Sequence, residues 1–469
     1  MANSRRDFLR KSGCAALSMT ALATTIKHFG LVDAFAQKTA EGGDYKALVC
    51  IFLNGGNDGN NTIVPNYTAG YDQYCTARGG ATGLPLPRPS LLPITPPSIG
   101  LDFGLHPNLT ELKALWDIQK LAIVCNVGTL VQPLTRAQYQ AGAPRPVQLF
   151  SHSNQTEQHR TAISTGSSTT GWGGRTADRT IGLNPGAAIS AITSVAGASL
   201  FTTGNSTTPL VVATAPTPLN QVFALNGFTG DVNGPARRLS MNQIRTMDLD
   251  RTLVRAASDL TQQAISVSDQ LTIDPVLTVT FPNTILGNQL KQIAKLMKFR
   301  TQLNMSRQIF YVQSNPVFDT HTGQLARQIA ILTEVSQAMK AFYDETVAQG
   351  IANKVTSFTL TDFSRTLSPT GTLANAGSDH AWGNHVFVMG DAVRGGDFYG
   401  MPGPNGTVFP TLVNSGPDDT DTRGRFIPTS SVDMLAATLA SWYGVAPADI
   451  PLVFPNINSF ATSNLGFML

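Results

Sequence analysis

The chain has 469 residues, of which 42% are hydrophobic, and its 33 Lys and Arg against 30 Asp and Glu give a net charge of +3. Five of the basic and two of the acidic residues lie in the first 36 positions, so the remainder is neutral and composition argues against a nucleic-acid partner. A chain of this length exceeds one compact core, and we expect one large domain with insertions or two domains.

The first 36 residues have the pattern of an export signal. A basic start that contains Arg5 and Arg6 precedes a short apolar stretch at 14–26, and Ala34 and Ala36 form a small-x-small cleavage site. The paired arginines indicate the twin-arginine subtype. We expect cleavage after Ala36, the twin-arginine translocase as a partner during export, and a periplasmic or secreted mature protein. The alternative is a basic amphipathic helix that stays attached.

No stable membrane span is expected, because the stretch at 14–26 is too short and no later stretch is long and apolar enough. The mature chain keeps Cys50, Cys75 and Cys125, and an odd number of cysteines cannot form a complete disulfide framework. Cys50 and Cys125 lie in apolar runs and are expected to be buried thiols. One disulfide that includes Cys75 stays open as an alternative.

Short apolar runs predict strands buried on both faces. The run at 46–53 is rich in β-formers and ends at Gly55 and Gly56, which is typical of a parallel sheet. Helical spacing at 106–119 is followed by another apolar run at 121–127. Further strands are predicted at 308–312, 355–360 and 386–389, and helices at 239–272, 284–307, 325–348 and 431–443.

This alternation predicts an α/β fold with a central, mostly parallel sheet between helices. We assign residues 37–469 to one domain, and we expect a cap insertion at about 175–305, where the pattern weakens. The last helix has Ser430 or Ser431 as its N-cap. The helix at 325–348 is expected to bury one face, formed by Ile329, Leu332, Val335, Met339 and Phe342.

Two early polar clusters follow predicted strands, where parallel sheets bind ligands. Asp58 lies in a segment rich in glycine and asparagine, and it is either a ligand at the strand end or part of a simple turn. Ser151 precedes a predicted helix, whose free N–H groups suit an anion. Its alternative role is that of an ordinary N-cap.

Two later clusters combine aspartate with histidine. Asp319 and His321 point to one side of an extended segment, so they can share a metal ion. Asp379, His380 and His385 lie within seven residues of each other. Oxygen and nitrogen ligands of this kind favour one or two divalent ions, and we expect Zn²⁺ or Mn²⁺. The alternative is a hydrogen-bond network without metal.

A fifth cluster follows the strand predicted at 355–360. Arg365 either pairs with an anionic group of a substrate or forms a structural salt bridge with Asp362. Asp362 could instead be a metal ligand.

These clusters make the sequence resemble the domain-of-unknown-function family 1501, which is grouped with the alkaline-phosphatase/sulfatase superfamily. The matching segments are 52–62, 149–153, 171–172, 319–321, 361–366, 379–385, 393–396 and 442–445. The resemblance implies that the domain at 37–469 is of the alkaline-phosphatase-like type and holds one or two metals. It implies as metal ligands Asp58, Asp319, His321, Asp379, His380 and His385.

The resemblance also implies hydrolysis of a phosphate or related sulfate ester, carried by a small molecule or a polymer. Ser151 is then the nucleophile, and Arg365 holds the anionic group. The Cys-x-Pro-x-Arg signature does not occur, which argues against a formylglycine-dependent sulfatase. The alternative is a non-catalytic exported protein of this fold that acts in envelope assembly or polymer binding.

Overall fold

The computed structural model describes residues 45–223, 228 and 232–469, so the predicted export signal lies outside the described residues. The strands are β1 Lys46–Leu53, β2 Ile63–Pro65, β3 Leu92–Ile94, β4 Phe103–Leu105, β5 Leu121–Gly128, β6 Ile192–Ser194, β7 Leu210–Val211, β8 Arg307–Gln313, β9 Val355–Thr361, β10 Asn384–Met389, β11 Phe398–Tyr399 and β12 Ser430–Ser431. The α-helices are α1 Gly59–Thr62, α2 Thr68–Ala77, α3 Thr110–Asp117, α4 Arg136–Gln140, α5 His152–Thr161, α6 Trp172–Thr180, α7 Leu219–Val222, α8 Gly234–Arg245, α9 Thr252–Gln270, α10 Ile285–Lys298, α11 Gln324–Ala348, α12 Val432–Tyr443 and α13 Ile450–Val453.

The main sheet has the strand order β11-β5-β10-β9-β1-β8-β6-β7, with β12 also beside β5. Its pairings are parallel except those of β10, which runs antiparallel to β5 and β9. A small antiparallel sheet has the order β2-β4-β3. The expectation of an α/β fold with a central, mostly parallel sheet flanked by helices is confirmed.

Strand β1 lies at the centre of the sheet and is buried on both faces. Leu48, Cys50 and Phe52 belong to one core, together with buried residues of α6 and α12. Val49 and Ile51 belong to the other core, which α3, α10 and α11 cover. The alternation arises because successive side chains of a strand point to opposite faces, and it explains why the run is apolar throughout.

Helix α11 confirms the prediction for 325–348, but one residue of its predicted buried face was wrong. Leu332, Val335, Met339 and Phe342 are buried, whereas Ile329 is 54% exposed. At 3.6 residues per turn, Ile329 lies roughly 100° away from the centre of the buried stripe. The stretch 239–272 forms two helices, α8 and α9, and the helix predicted at 284–307 ends at residue 298.

The predicted cap region contributes to the main sheet, because β6 pairs with β8 and β7 pairs with β6. Whether the rest of 175–305 forms a separate cap stays a prediction. Of the two predicted caps for α12, Ser431 takes the role, since its Oγ accepts a hydrogen bond from the N–H of Met434 at 3.1 Å.

Cys50, Cys75 and Cys125 are free thiols, and Cys50 and Cys125 are buried as expected. The alternative of a disulfide with Cys75 is not realised. Burial raises the pKa of the Cys50 and Cys125 thiols well above its usual value. Among the helices of residues 45–223 and 232–469, none has the length and apolar character that crossing a membrane requires.

Candidate metal centre

The candidate site lies at one edge of the main sheet, where β1, β8 and β9 end. These three strands are parallel neighbours, so their carboxyl ends meet at the same edge. Asp319 and His321 follow β8, and Asp362 follows β9 directly. His380 precedes β10, whose antiparallel direction brings its amino end to this edge. The sheet topology therefore gathers residues that lie far apart in the chain.

Three imidazoles converge on one carboxylate oxygen. Asp319 Oδ1 lies 2.9 Å from His321 Nε2, 3.5 Å from His152 Nε2 and 3.6 Å from His380 Nε2. The ligand atoms of His152, Asp319 and His380 all lie within 4.8 Å of one another, so this group could hold a metal ion. We refer to His152, Asp319, His321 and His380 as the histidine–Asp319 cluster.

Each imidazole of the cluster has an acceptor on its other ring nitrogen. Nδ1 of His152 lies 2.7 Å from Asp362 Oδ2, and Nδ1 of His321 lies 3.0 Å from Asp379 Oδ1. Nδ1 of His380 lies 2.7 Å from the carbonyl oxygen of Phe150. A carbonyl or carboxylate oxygen only accepts, so Nδ1 of each ring carries a proton and Nε2 is the atom that faces Asp319.

One of these nitrogens is an unsatisfied buried atom. Nε2 of His152 has no hydrogen-bond partner among the described residues. Buried polar atoms in native proteins almost always have a partner, which can be an ion. A metal ion bound to Nε2 of His152 would supply the missing partner.

The backbone around the cluster is held in unusual conformations. Phe150, whose carbonyl fixes His380, has a φ of +71°, which side chains of this size rarely adopt. Gly55 has a φ of +112°, and a Cβ atom there would lie 2.6 Å from the backbone nitrogen of Asp319. Its N–H donates to Asp362 Oδ1 at 3.1 Å. Only glycine permits this close approach, so the Gly-Gly segment after β1 positions Asp319 and Asp362 together.

Arg365 contributes a buried positive charge. Its Nη1 donates to Asp319 Oδ1 at 2.7 Å, and its Nη2 donates to the carbonyl of Ser378. Burial acts to raise the pKa of Asp319, but Arg365 and the neighbouring histidines outweigh this effect and hold that pKa below its usual value. Arg365 thus pairs with Asp319 and not with Asp362, which differs from the salt bridge considered from the sequence.

The surroundings of His152 and His380 shift the pKa values of these two imidazoles in opposite directions. The hydrogen bond to Asp362 is the main reason that the pKa of His152 is raised. Burial is the main reason that the pKa of His380 is lowered, and the charges of His152 and Arg365 add to it. A neutral imidazole is the form that binds a metal, so the environment of His380 favours ligation.

Two predicted ligands, Asp58 and His385, lie outside the cluster. Asp58 forms a buried ion pair with Arg78 at 2.5 Å. His385 is buried and its ring stacks on Phe409 with centroids 4.8 Å apart. Burial lowers the pKa of His385 to about 3. The structure brings together Asp319, His321, Asp379 and His380, and the ligand role of all six predicted residues stays a prediction.

Ser151 directly precedes α5 and is its N-cap residue, but its side chain does not bond to the helix backbone. Its Oγ donates to Asn154 Oδ1 at 2.9 Å and lies 3.2 Å from Ser153 Oγ. The neighbouring His152 was missed as a ligand. Its position in the same segment as Ser151 is the only sequence signal for it, because its partners Asp319 and Asp362 are more than 160 residues away.

The model of the family described as "Protein of unknown function (DUF1501)" matches residues 45–408. Comparison with curated proteins finds no match. Among solved structures, the chain is similar to Ps i-CgsB, crystallised in complex with k-i-k-neocarrahexaose, with 7% identity over 88% of this chain and 77% of that chain. The TM-score is 0.31, and a likeness at that level carries no argument about function. The chain belongs to the DUF1501 family of proteins of unknown function.

Proposed function

We propose that this protein is an exported, metal-dependent hydrolase of phosphate or related sulfate esters, with a fold of the alkaline-phosphatase type. The observation that carries the proposal is the convergence of three oriented imidazoles on Asp319 Oδ1. A structural core has no need of three histidines that each have an acceptor on Nδ1. Metal sites do have this need, because the second partner fixes the ring and raises its basicity.

The residues of the histidine–Asp319 cluster fit a borderline divalent ion. Their donor set of imidazole nitrogen and carboxylate oxygen suits Zn²⁺ or Mn²⁺, and the unpartnered Nε2 of His152 supports this assignment. When bound, such an ion would polarise the oxygens of the ester. His152, Asp319 and His380 would hold it, and Asp362 and the carbonyl of Phe150 would orient the two imidazoles.

Ser151 is proposed as the nucleophile. It is the N-cap residue of α5 and directly precedes His152, so its hydroxyl lies close in the chain to a proposed metal ligand. Its Oγ donates its proton to Asn154 Oδ1, which holds the hydroxyl at the helix start. The free N–H groups of that first turn favour an anionic group nearby. The side chain of Arg365 is fully buried on Asp319, so we assign it to balancing the charge of Asp319 and not to contacting the ester.

A second candidate is a non-catalytic exported protein that keeps the metal. It is favoured by one observation: in the described part of the chain, no imidazole is hydrogen-bonded to Ser151 Oγ, whose partners are Asn154 and Ser153. A serine nucleophile usually has a base within reach. This candidate predicts a protein that binds metal but does not turn over any ester.

The test is an activity screen of the mature protein, purified after native export, against phosphate and sulfate esters. Ser151→Ala should keep the metal and lose turnover by about 10³-fold or more, as expected for a nucleophile. Ser153→Ala is the matched control and should retain turnover within a few-fold. Equal turnover in the two variants would remove Ser151 from the mechanism, and a metal-loaded native protein without any turnover would favour the second candidate.

A further inference from the structure

Several carboxylates near the candidate metal centre already accept hydrogen bonds from other groups. Asp58 Oδ1 accepts the N–H of Asn60 at 3.1 Å, and its Oδ2 accepts from Arg78 at 2.5 Å and from Gln324. The side chains of Asp58 and Arg78 are 1% and 0% exposed. Asp58 therefore has its charge balanced by an arginine, and both of its carboxylate oxygens already accept hydrogen bonds.

In two more aspartates, Asp362 and Asp379, both carboxylate oxygens also have hydrogen-bond partners. Asp362 uses one oxygen for the N–H of Gly55 and the other for Nδ1 of His152. Asp379 Oδ1 lies 3.0 Å from Nδ1 of His321, and its Oδ2 accepts from Arg423 at 2.5 Å. These aspartates orient imidazoles and do not offer an additional set of ligands.

The buried guanidinium of Arg365 lies on the one carboxylate at which the histidines converge. Its Nη1 is 2.7 Å from Asp319 Oδ1, and the same nitrogen is 3.5 Å from the carbonyl oxygen of Gly55. Its side chain is 0% exposed.

We propose that the histidine–Asp319 cluster binds a single divalent ion, and that Arg365 is a fixed second cation of the centre, in the place that a second ion would otherwise take. The inference rests on the proposed function and specifies its metal content. Among Asp58, Asp319, Asp362 and Asp379, Asp319 alone has an oxygen that faces several imidazoles. A single carboxylate offsets the positive charge of one ion and a guanidinium better than it would offset the charge of two ions and a guanidinium.

A fixed guanidinium on Asp319 repels the ion that shares this oxygen. Removing the positive charge while keeping a hydrogen-bond donor should therefore tighten metal binding. A residue that only anchored Asp319 would behave in the opposite way, because its removal would loosen a ligand and weaken binding. The direction of the change in metal affinity separates the two roles.

The experiment is a calorimetric titration of the full mature protein, stripped of metal, with Zn²⁺. We expect about one equivalent bound by the native protein and on the order of tenfold tighter binding by Arg365→Gln, since repulsion between like charges is lost. Arg365→Lys keeps the charge and should bind like the native protein. Arg88→Gln is the control, because Arg88 donates to the side chain and the carbonyl of Asn66 and contacts no residue of the cluster, and its affinity should stay within about twofold.

Two equivalents of Zn²⁺ on independent sites of the native protein would overturn the single-ion inference and leave the proposed function standing. No bound Zn²⁺ would overturn both. Weaker binding by a folded Arg365→Gln would show that Arg365 is an anchor and not a competing cation. If Arg365→Gln does not fold, the stoichiometry of the native protein and of Arg365→Lys decides, and two equivalents in either would contradict the inference.

Discussion

Asp362 and His152 are joined by a hydrogen bond of 2.7 Å between Asp362 Oδ2 and His152 Nδ1, although they are 210 residues apart in the chain. Asp362 is fully buried directly after β9, and His152 opens α5. The bond fixes the imidazole to the edge of the sheet and turns its Nε2 toward Asp319. Asp362 is therefore the residue on which the position of the first histidine ligand depends.

Replacing this carboxylate should weaken metal binding. We expect Asp362→Asn to raise the Kd for Zn²⁺ by roughly 10- to 100-fold, because an amide orients His152 less strongly and lowers its basicity. The matched control is Asp391→Asn, since Asp391 follows β10 at the opposite edge of the sheet and bonds Tyr343. Isothermal titration of the two variants measures the difference, and equal affinities would show that Asp362 does not support the site.

The buried pair of Asp58 and Arg78 should contribute to stability and not to metal binding. Arg78→Met leaves the carboxylate of Asp58 buried without its cation, which should cost about 3–5 kcal/mol of unfolding free energy. Lys113→Met breaks an exposed pair with Asp117 and should cost less than about 1 kcal/mol. Urea unfolding at neutral pH measures both. A small loss in Arg78→Met, together with additional bound metal, would mean that Asp58 is a ligand after all.

Asp433 should make stability depend on pH. Burial raises its pKa from the ordinary 3.8 to about 7, and the nearby charge of Arg175 only partly opposes this shift. Between these two values the unfolded chain has released the proton and the folded protein has kept it. The stabilisation by the neutral carboxyl is therefore complete below about pH 4 and is lost progressively as the pH rises to about 7.

Asp433→Asn cannot ionise and should lack this loss. The difference in unfolding free energy between this variant and the native protein should shift in favour of the variant by up to about 4 kcal/mol between pH 4 and pH 8. Denaturant unfolding across this range measures the difference between the two proteins. A difference that stays constant with pH would show that Asp433 has an ordinary pKa.

We expect export to depend on the predicted leader, which lies outside the described residues. Replacing Arg5 and Arg6 together by lysine should abolish twin-arginine recognition and leave a full-length precursor inside the cell. The native chain should appear outside the cytoplasm with its first residue at Gln37. Fractionation with sequencing of the amino terminus distinguishes these results, and normal export of the double variant would point to another route.

The central strands could be predicted because they are short runs rich in apolar residues, and β1 is followed closely by Gly55 and Gly56. The antiparallel direction of β10 could not, since a run buried on both faces has the same composition in either direction. Among the site residues, Asp319 with His321 and Asp379 with His380 are close in sequence and could be found. His152 could not be assigned as a ligand, because its partners are brought to it only by the sheet topology. Arg365 also illustrates this limit, since its proximity to Asp362 in sequence gives no sign that it pairs with Asp319.

The most direct test of the central claim is elemental analysis of the mature protein after native export, compared with the His152→Ala and Ser153→Ala variants. These positions are neighbours on α5, but only His152 offers a nitrogen to the cluster. We predict about one equivalent of zinc or manganese in the native protein and in Ser153→Ala, and loss of the metal in His152→Ala. A native protein without metal, or a metal content unchanged in His152→Ala, would contradict the assignment of this centre.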